Sequence, residues 1–264
     1  MKRNLLIALF LIWASSLFAL EQPKFSTAGF YELPNTGREV YSMNLAWRFY
    51  KGDVVGTPFA TGFDDSGWEV ISIPHGLEYL PIEASGCANY QGVAWYRKRF
   101  TLDSRLKGKQ LFIHFEAIMG KSEVYVNGKL LKKQYGGYLP VILDVTNELD
   151  WDGENVIAVK ADNSDDPSYP VGKPQNLLDF TYFGGIYRDC WLVAHNKVFI
   201  TNANYENEVA GGGLFVSFAD VSEKSAIVNL KAHVRNLSEK NERVTVTFNL
   251  KNKSGEVVKQ VFKK

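Results

Sequence analysis

Residues 122–128 read Ser-Glu-Val-Tyr-Val-Asn-Gly. Val124 and Val126 alternate with Glu123 and Tyr125, the period-two pattern of a strand with one buried face. The run ends in Asn127-Gly128, the strongest short hairpin signal when it joins two apolar-patterned stretches. The same alternation returns in Val156-Ile157-Ala158-Val159-Lys160. No stretch of useful length carries a 3.6-residue apolar stripe. The reading from this point outward is therefore one of strands and turns.

On either side lie more short apolar runs closed by turn residues. Trp47–Tyr50 precedes Lys51-Gly52-Asp53, and Trp68–Ile73 precedes Pro74. Ala94–Leu102, Lys109–Phe115, Asn155–Ala161 and Arg188–Ala194 complete the set. Strands at such spacing with polar turns predict a β-sandwich. From about Val198 the alternation becomes stricter. Val228, Leu230, Ala232 and Val234 interleave with Asn229, Lys231, His233 and Arg235. Candidate strands are Val198–Tyr205, Gly213–Phe218, Ala226–Arg235, Arg243–Leu250 and Val257–Phe262, which predict part of an immunoglobulin-like sandwich. Such a fold wants about seven strands, so residue 264 reads as a cut through it. The expected organisation is a segment 1–20 apart from the fold, a first sandwich over 21–197 and a partial second one over 198–264.

The segment 1–20 has Lys2 and Arg3, then an apolar run from Leu5 to Ala14, then small residues ending at Ala19. That is the layout of a secretory signal peptide, and predicts an exported, periplasmic or secreted protein with no membrane attachment after cleavage. An uncleaved membrane anchor is the alternative. The net charge is +1 with no basic cluster, which argues against nucleic-acid partners. Aromatics make up 14% of the chain, a content that suits sheets, carbohydrate stacking or both. The two cysteines, Cys87 and Cys190, are equally consistent with a bridge or with buried thiols.

One segment does not read as a strand. Residues 162–189 hold three prolines, five aromatics, five aspartates and the pair Gly184-Gly185. Irregular segments beyond about 12–15 residues are uncommon in compact domains and are often functional. Asp162-Asn163-Ser164-Asp165-Asp166 has the look of a calcium loop, but its sixth position is not Gly and Lys173 stands where the twelfth-position Glu is required. No cofactor or metal is expected. His75, His114, His195 and His233 are scattered singly and read as structural.

Several stretches together resemble the N-terminal sugar-binding domain of glycoside hydrolase family 2, which includes β-galactosidases, β-glucuronidases and β-mannosidases. They are Trp47-Arg48-Phe49 with Phe63–Trp68 and Ile73-Pro74-His75; Gly92–Lys98; Phe115-Glu116-Ala117 through Val124–Gly128, with Gly136–Tyr138 and Asp144–Thr146; Gly153–Val156 with Ala161–Asn163; and Asp179–Arg188. The resemblance covers about residues 41–195 in the family's order. It implies an all-β chain: a galactose-binding-like jelly roll followed by a truncated immunoglobulin-like sandwich. It also implies a following TIM barrel, absent here, whose two glutamates carry out retaining hydrolysis. The chain alone is then expected to be inactive.

On the residues alone Asp179 reads as a turn or cap. The resemblance to the β-galactosidase branch implies that it reaches the barrel's active site and accepts hydrogen bonds from sugar hydroxyls, for which a carboxylate offers two oxygens. Tyr182 would stack on the sugar or pack under the loop. Asn163 would orient the loop or touch the ligand. The expected partners are a β-galactoside or related glycan and the barrel, with a homo-oligomer left open. A stand-alone carbohydrate-binding module and an inactive truncated product are the alternatives. The retaining mechanism requires two carboxyls about 5–5.5 Å apart, and no glutamate pair is marked in this sequence.

Overall fold

A computed structural model describes residues 38–77, 90–168, 174, 177 and 184–264. The alternating runs form two antiparallel sheets. One has six strands: β2 (Trp47–Lys51), β3 (Glu69–Ile71), β4 (Val93–Phe100), β6 (Lys121–Val126), β7 (Lys129–Tyr135) and β9 (Asn155–Asp162), in the order β3-β2-β4-β9-β6-β7. The other has four: β1 (Glu39–Ser42), β5 (Gln110–Phe115), β8 (Val141–Asp144) and β10 (Cys190–His195), in the order β1-β10-β5-β8. Their facing sides bury one core that includes Trp47, Tyr96, Ile113, Phe115, Val124 and Ile157. This is the expected jelly-roll sandwich.

The Asn127-Gly128 turn is where the sequence placed it. Val126 pairs with Lys129, and Asn127 and Gly128 take φ values of +49° and +83°. Asn127 does more than turn. Its Nδ2 donates to the Glu148 carbonyl at 2.8 Å, and its Oδ1 accepts from Val156 N at 2.9 Å. Asn155, fully buried, accepts from Asp150 N and donates to the Asp150 carbonyl. These amides satisfy backbone groups at one end of the sandwich that the sheets leave unpaired. Strands β1, β7 and β8 escaped the sequence reading. β7 is an edge strand with an exposed lysine-rich face, so its apolar alternation is faint.

The outer face of the six-stranded sheet is covered by the loop that follows β2. Arg97 points outward from β4, yet is fully buried. Its Nε donates to Asp65 Oδ2 at 2.6 Å, and its Nη1 donates to the Pro58 and Ala60 carbonyls. Arg99 reaches Asp65 and Glu154 as well. Phe59 stacks on Tyr125 with ring centroids 4.7 Å apart. The guanidinium thus fastens the loop over 53–68 to the sheet by its side chains and its backbone.

Beyond Val198 the strands are β11 (Val198–Ile200), β12 (Leu214–Ala219), β13 (Ile227–Ala232), β14 (Val234–Asn236), β15 (Val246–Lys251) and β16 (Val257–Lys263). They pair as β11-β14, β12-β13 and β15-β16, strands of the expected immunoglobulin-like sandwich. Two expectations need correction. The strand expected over Val198–Tyr205 stops at Ile200, because Asn202 caps a short helix α1 (Ala203–Glu206) by accepting from Asn204 N and Tyr205 N. The strand expected over Ala226–Arg235 divides at His233, whose N–H bonds Gly213 and whose carbonyl bonds Thr201. At that residue the chain changes partner from β12 to β11. Phe199 and Tyr205 pack on Phe112, on the outer face of the four-stranded sheet.

Breaking a buried ion pair from one side leaves a stranded charge. Asp65→Ala should therefore cost about 3–5 kcal/mol in urea unfolding, and Arg97→Met with Asp65→Leu together should cost less than the sum of the two singles.

His114 and His195 are both buried. Burial pushes their pKa values down to about 4 and about 3, with Arg38 adding to the effect at His195. The folded state thus refuses protons that the unfolded chain takes up below about 6.5. Their contribution to stability is present above that pH and is lost as pH falls towards 4, on the order of 3 kcal/mol for His114. Unfolding free energies measured from pH 7 to pH 4 should fall, and the fall should be shallower in His114→Leu.

Candidate functional site

One end of the sandwich gathers the residues of interest. There β2, β9 and β7 end, and β3, β4 and β6 begin. The 184–189 stretch enters β10 across this rim. His75 N donates to the Ile186 carbonyl at 2.8 Å, Leu77 N to Gly184 at 3.1 Å, Met119 N to Gly185 at 3.0 Å and Glu116 N to Asp189 at 2.9 Å. The Tyr187 hydroxyl donates to the Gly137 carbonyl. Three separate segments, those of 75–77, 116–119 and Gly137, are tied to this one short stretch.

The paired glycines are required by space. A Cβ on Gly184 would lie 2.5 Å from Asn163 Nδ2 and 2.6 Å from Leu77 Cδ1. A Cβ on Gly185, at φ +96°, would lie 2.2 Å from the Tyr96 hydroxyl oxygen and 3.0 Å from the His75 carbonyl. The Tyr96 hydroxyl is 3.0 Å from His75 Nδ1, and the His75 ring sits edge-on to Phe49. Burial lowers the His75 pKa, which keeps the imidazole neutral and suited to this packed position.

Asn163 is 2% exposed. Its Oδ1 accepts from Gly92 N at 2.9 Å, and its Nδ2 donates to the Tyr90 carbonyl at 2.8 Å. The amide clamps the start of β4 to the end of β9. Asp179 and Tyr182 lie outside the described residues, as does Cys87. Cys190 is a free, fully buried thiol, and desolvation raises its pKa.

The aspartates after β9 are engaged locally. Asp162 Oδ1 accepts from Ser164 N and Oγ, and Lys121 Nζ lies 3.4 Å from Asp162 and 3.5 Å from Asp166. Burial works against ionisation of Asp162, but Ser164 and Lys121 outweigh it and hold the carboxyl below its usual range. Among the described residues no group of three His, Cys, Asp or Glu side chains is placed to hold a metal ion. The rim also brings together His75, Tyr96, Met119 and Tyr187, which the sequence reading had not grouped. Their spacing along the chain carries no common period, and only the Gly-Gly pair hinted at a close approach.

Gly185→Ala should destabilise the protein by about 3 kcal/mol or more, since both backbone angle and space oppose it. Gly108 has φ +82° but no neighbour within 4 Å, so Gly108→Ala should cost only about 1 kcal/mol. Urea unfolding of the two variants separates strain from collision, and equal costs would remove the steric account.

Over residues 61–196, just over half its length, the chain matches the family described as Glycosyl hydrolases family 2, sugar binding domain. A β-galactosidase of Thermoanaerobacter pseudethanolicus is 36% identical over 171 residues, which are 64% of this chain and 22% of that protein. The β-galactosidase BoGH2A of Bacteroides ovatus is 34% identical over 84% of this chain and 25% of its own length. Among solved structures, a β-glucuronidase from glycoside hydrolase family 2 superposes with a TM-score of 0.75 at 30% identity, covering 88% of this chain and 25% of that one. A putative β-galactosidase from Bacteroides fragilis gives 0.73 at 31% identity, over 86% and 33%. The chain thus spans about a quarter to a third of the length of these relatives. With its two sheets, its Asn127-Gly128 hairpin and its Gly184-Gly185 rim, it belongs to glycosyl hydrolase family 2, of which it carries the sugar-binding domain.

Proposed function

We propose that this chain is the N-terminal, non-catalytic portion of an exported family 2 glycosidase of β-galactosidase type, lending Asp179 to a sugar site completed by a catalytic barrel. The observation that carries this reading is the rim. Asn163 at one end of the Asp179-bearing segment lies against Gly184 at the other, and both are tied to the sandwich. Anchoring at both ends lowers the entropy lost in presenting a carboxylate to a neighbouring domain. Asp179 then accepts hydrogen bonds from adjacent sugar hydroxyls. Tyr182 supplies a ring for the sugar or for the domain contact. Asn163 serves the site indirectly, by fixing where the segment starts.

A β-galactoside is favoured as substrate by the relatives at 36% and 34% identity that bear the β-galactosidase name. A β-glucuronidase of Formosa agariphila stands at 30%. Export is supported by the Lys2-Arg3 start and the apolar run that follows it. No helix among the described residues is long and apolar enough to cross a membrane.

The test is the protein encoded by the complete reading frame, assayed on nitrophenyl β-galactoside and β-glucuronide. The galactoside should turn over faster, and Asp179→Ala should lower kcat/KM roughly a hundredfold with the thermal midpoint unchanged. Wild-type kinetics in Asp179→Ala would overturn the assigned role. Faster turnover of the glucuronide would overturn the substrate assignment.

A further inference from the structure

Beside the rim, where β2 ends and β3 begins, the surface opens into a cleft of about 410 Å³. Tyr50, Lys51, Trp68 and Glu69 line it together with the buried Phe49 and His75. Its volume lies within the range of small-ligand pockets, about 300–1,000 Å³. The Tyr50 and Trp68 rings are 5.6 Å apart and inclined by 35°, and Tyr50 is 43% exposed. Trp68 is held from behind. Phe63 meets it edge-on at 5.6 Å, its N–H donates to the Asp65 carbonyl at 3.0 Å, and its carbonyl accepts from Arg48 Nη1 at 3.3 Å. The buried Arg97–Asp65 pair fixes the loop that carries it. The aromatic surface is therefore set before any ligand arrives, which lowers the cost of binding.

The polar groups around these rings point to a ligand class. Among the described residues, the Tyr50 hydroxyl, the Trp68 indole N–H and the Glu69 carboxylate hydrogen-bond to nothing, and no cation pairs with Glu69. The Lys51 ammonium is drawn over the Tyr90 ring, 4.7 Å from its centroid. Two rings flanked by two hydroxyl-matching donors and one acceptor-only carboxylate suit a molecule with an apolar C–H face and a rim of hydroxyls. An unpaired carboxylate disfavours an anionic ligand.

We propose that this cleft binds a neutral saccharide, with one pyranose face stacked on the Tyr50–Trp68 pair and its hydroxyls bonded by Trp68 Nε1, the Tyr50 hydroxyl and Glu69. The residues it uses lie outside the segment 162–189 in the chain, and it needs neither Asp179 nor a following barrel. It gives the sandwich a carbohydrate contact of its own.

The experiment is a nuclear magnetic resonance titration of the full chain with lactose and with methyl β-galactoside, following the Trp68 indole N–H, with glucuronic acid in parallel. A saturable shift with a neutral sugar is expected, weakened about tenfold by Tyr50→Ala. Tyr50 faces outward, so an unchanged thermal midpoint will show that this variant is folded. Glu69→Gln should retain the neutral sugar and narrow its advantage over glucuronic acid. Asp179→Ala should leave the titration unaltered, which separates this site from the proposed barrel subsite. The proposal is overturned if neither neutral sugar gives a saturable shift, if Tyr50→Ala binds as wild type, or if glucuronic acid binds as tightly as the neutral sugars.

Discussion

At the rim of the sandwich neighbouring groups approach the backbone of two glycines more closely than a Cβ permits. Gly184 lies against the Asn163 amide and Gly185 against the Tyr96 hydroxyl, while their carbonyls accept from Leu77 and Met119. Each contact excludes a Cβ, and each hydrogen bond pairs a backbone group that the sheets would otherwise leave open. The consequence reaches well beyond two residues. Because 184–189 is bonded to the loop before β4 and to the turn after β5, and Gly184 lies against Asn163 just past β9, a shift at the glycines would move the entry to β10, which lies in the middle of the four-stranded sheet. The same contacts fix the backbone at Asn163 and Gly184, on either side of the residues that bear Asp179.

A second constraint acts on the opposite side of the six-stranded sheet. A fully buried guanidinium is costly unless its donors are paired. Arg97 meets that condition at Nε and Nη1, with one carboxylate and two carbonyls drawn from a single loop, while its buried Nη2 has no hydrogen-bond partner. Asp65 is shared with Arg99, which is itself paired with Glu154. The loop is thereby held on the sheet by electrostatics and backbone bonding, with Phe59 on Tyr125 and Phe63 on Trp68 adding aromatic packing. The ordered loop presents Trp68 at the cleft. A structural ion pair thus orders a surface some residues away from it in the chain.

The immunoglobulin-like strands obey a different balance. In the β12-β13 hairpin, Leu214, Val216 and Phe218 oppose Ala232, Leu230 and Val228, so one face is wholly apolar. Phe218 on that face is 65% exposed. In β15-β16, Phe248 opposes Val261, also on a largely uncovered face. Two-stranded units of this kind are marginal in water by themselves. Their firm attachment is at the start of the unit, where Phe199 and Tyr205 pack on Phe112 and Thr201 bonds His233.

Much of this was legible in the residues. Alternation in 122–126 and 156–160, with Asn127-Gly128 between two strands, determined antiparallel pairing, because a period of two commits one face to the core and Asn-Gly is at ease at positive φ. The order of the motifs carried the family. The strict alternation beyond Val198 announced a second set of half-buried strands. Local pattern could not show partner exchange at His233 or the cap at Asn202 that ends β11, since both depend on which groups are left unbonded by neighbours distant in sequence. Nor could it show that Arg97, whose residue type and setting suggest a salt bridge, is fully buried against Asp65, or why Asn163 faces Gly92 and Tyr90. Those outcomes follow from long-range closeness: Asp65 lies 32 residues from Arg97, and Gly92 lies 71 from Asn163. The sequence by itself determined strand periodicity, turn chemistry and family, which are local properties of the chain. Only the tertiary structure decided the rim and the clamp, because each is made by desolvated polar groups finding partners across the fold.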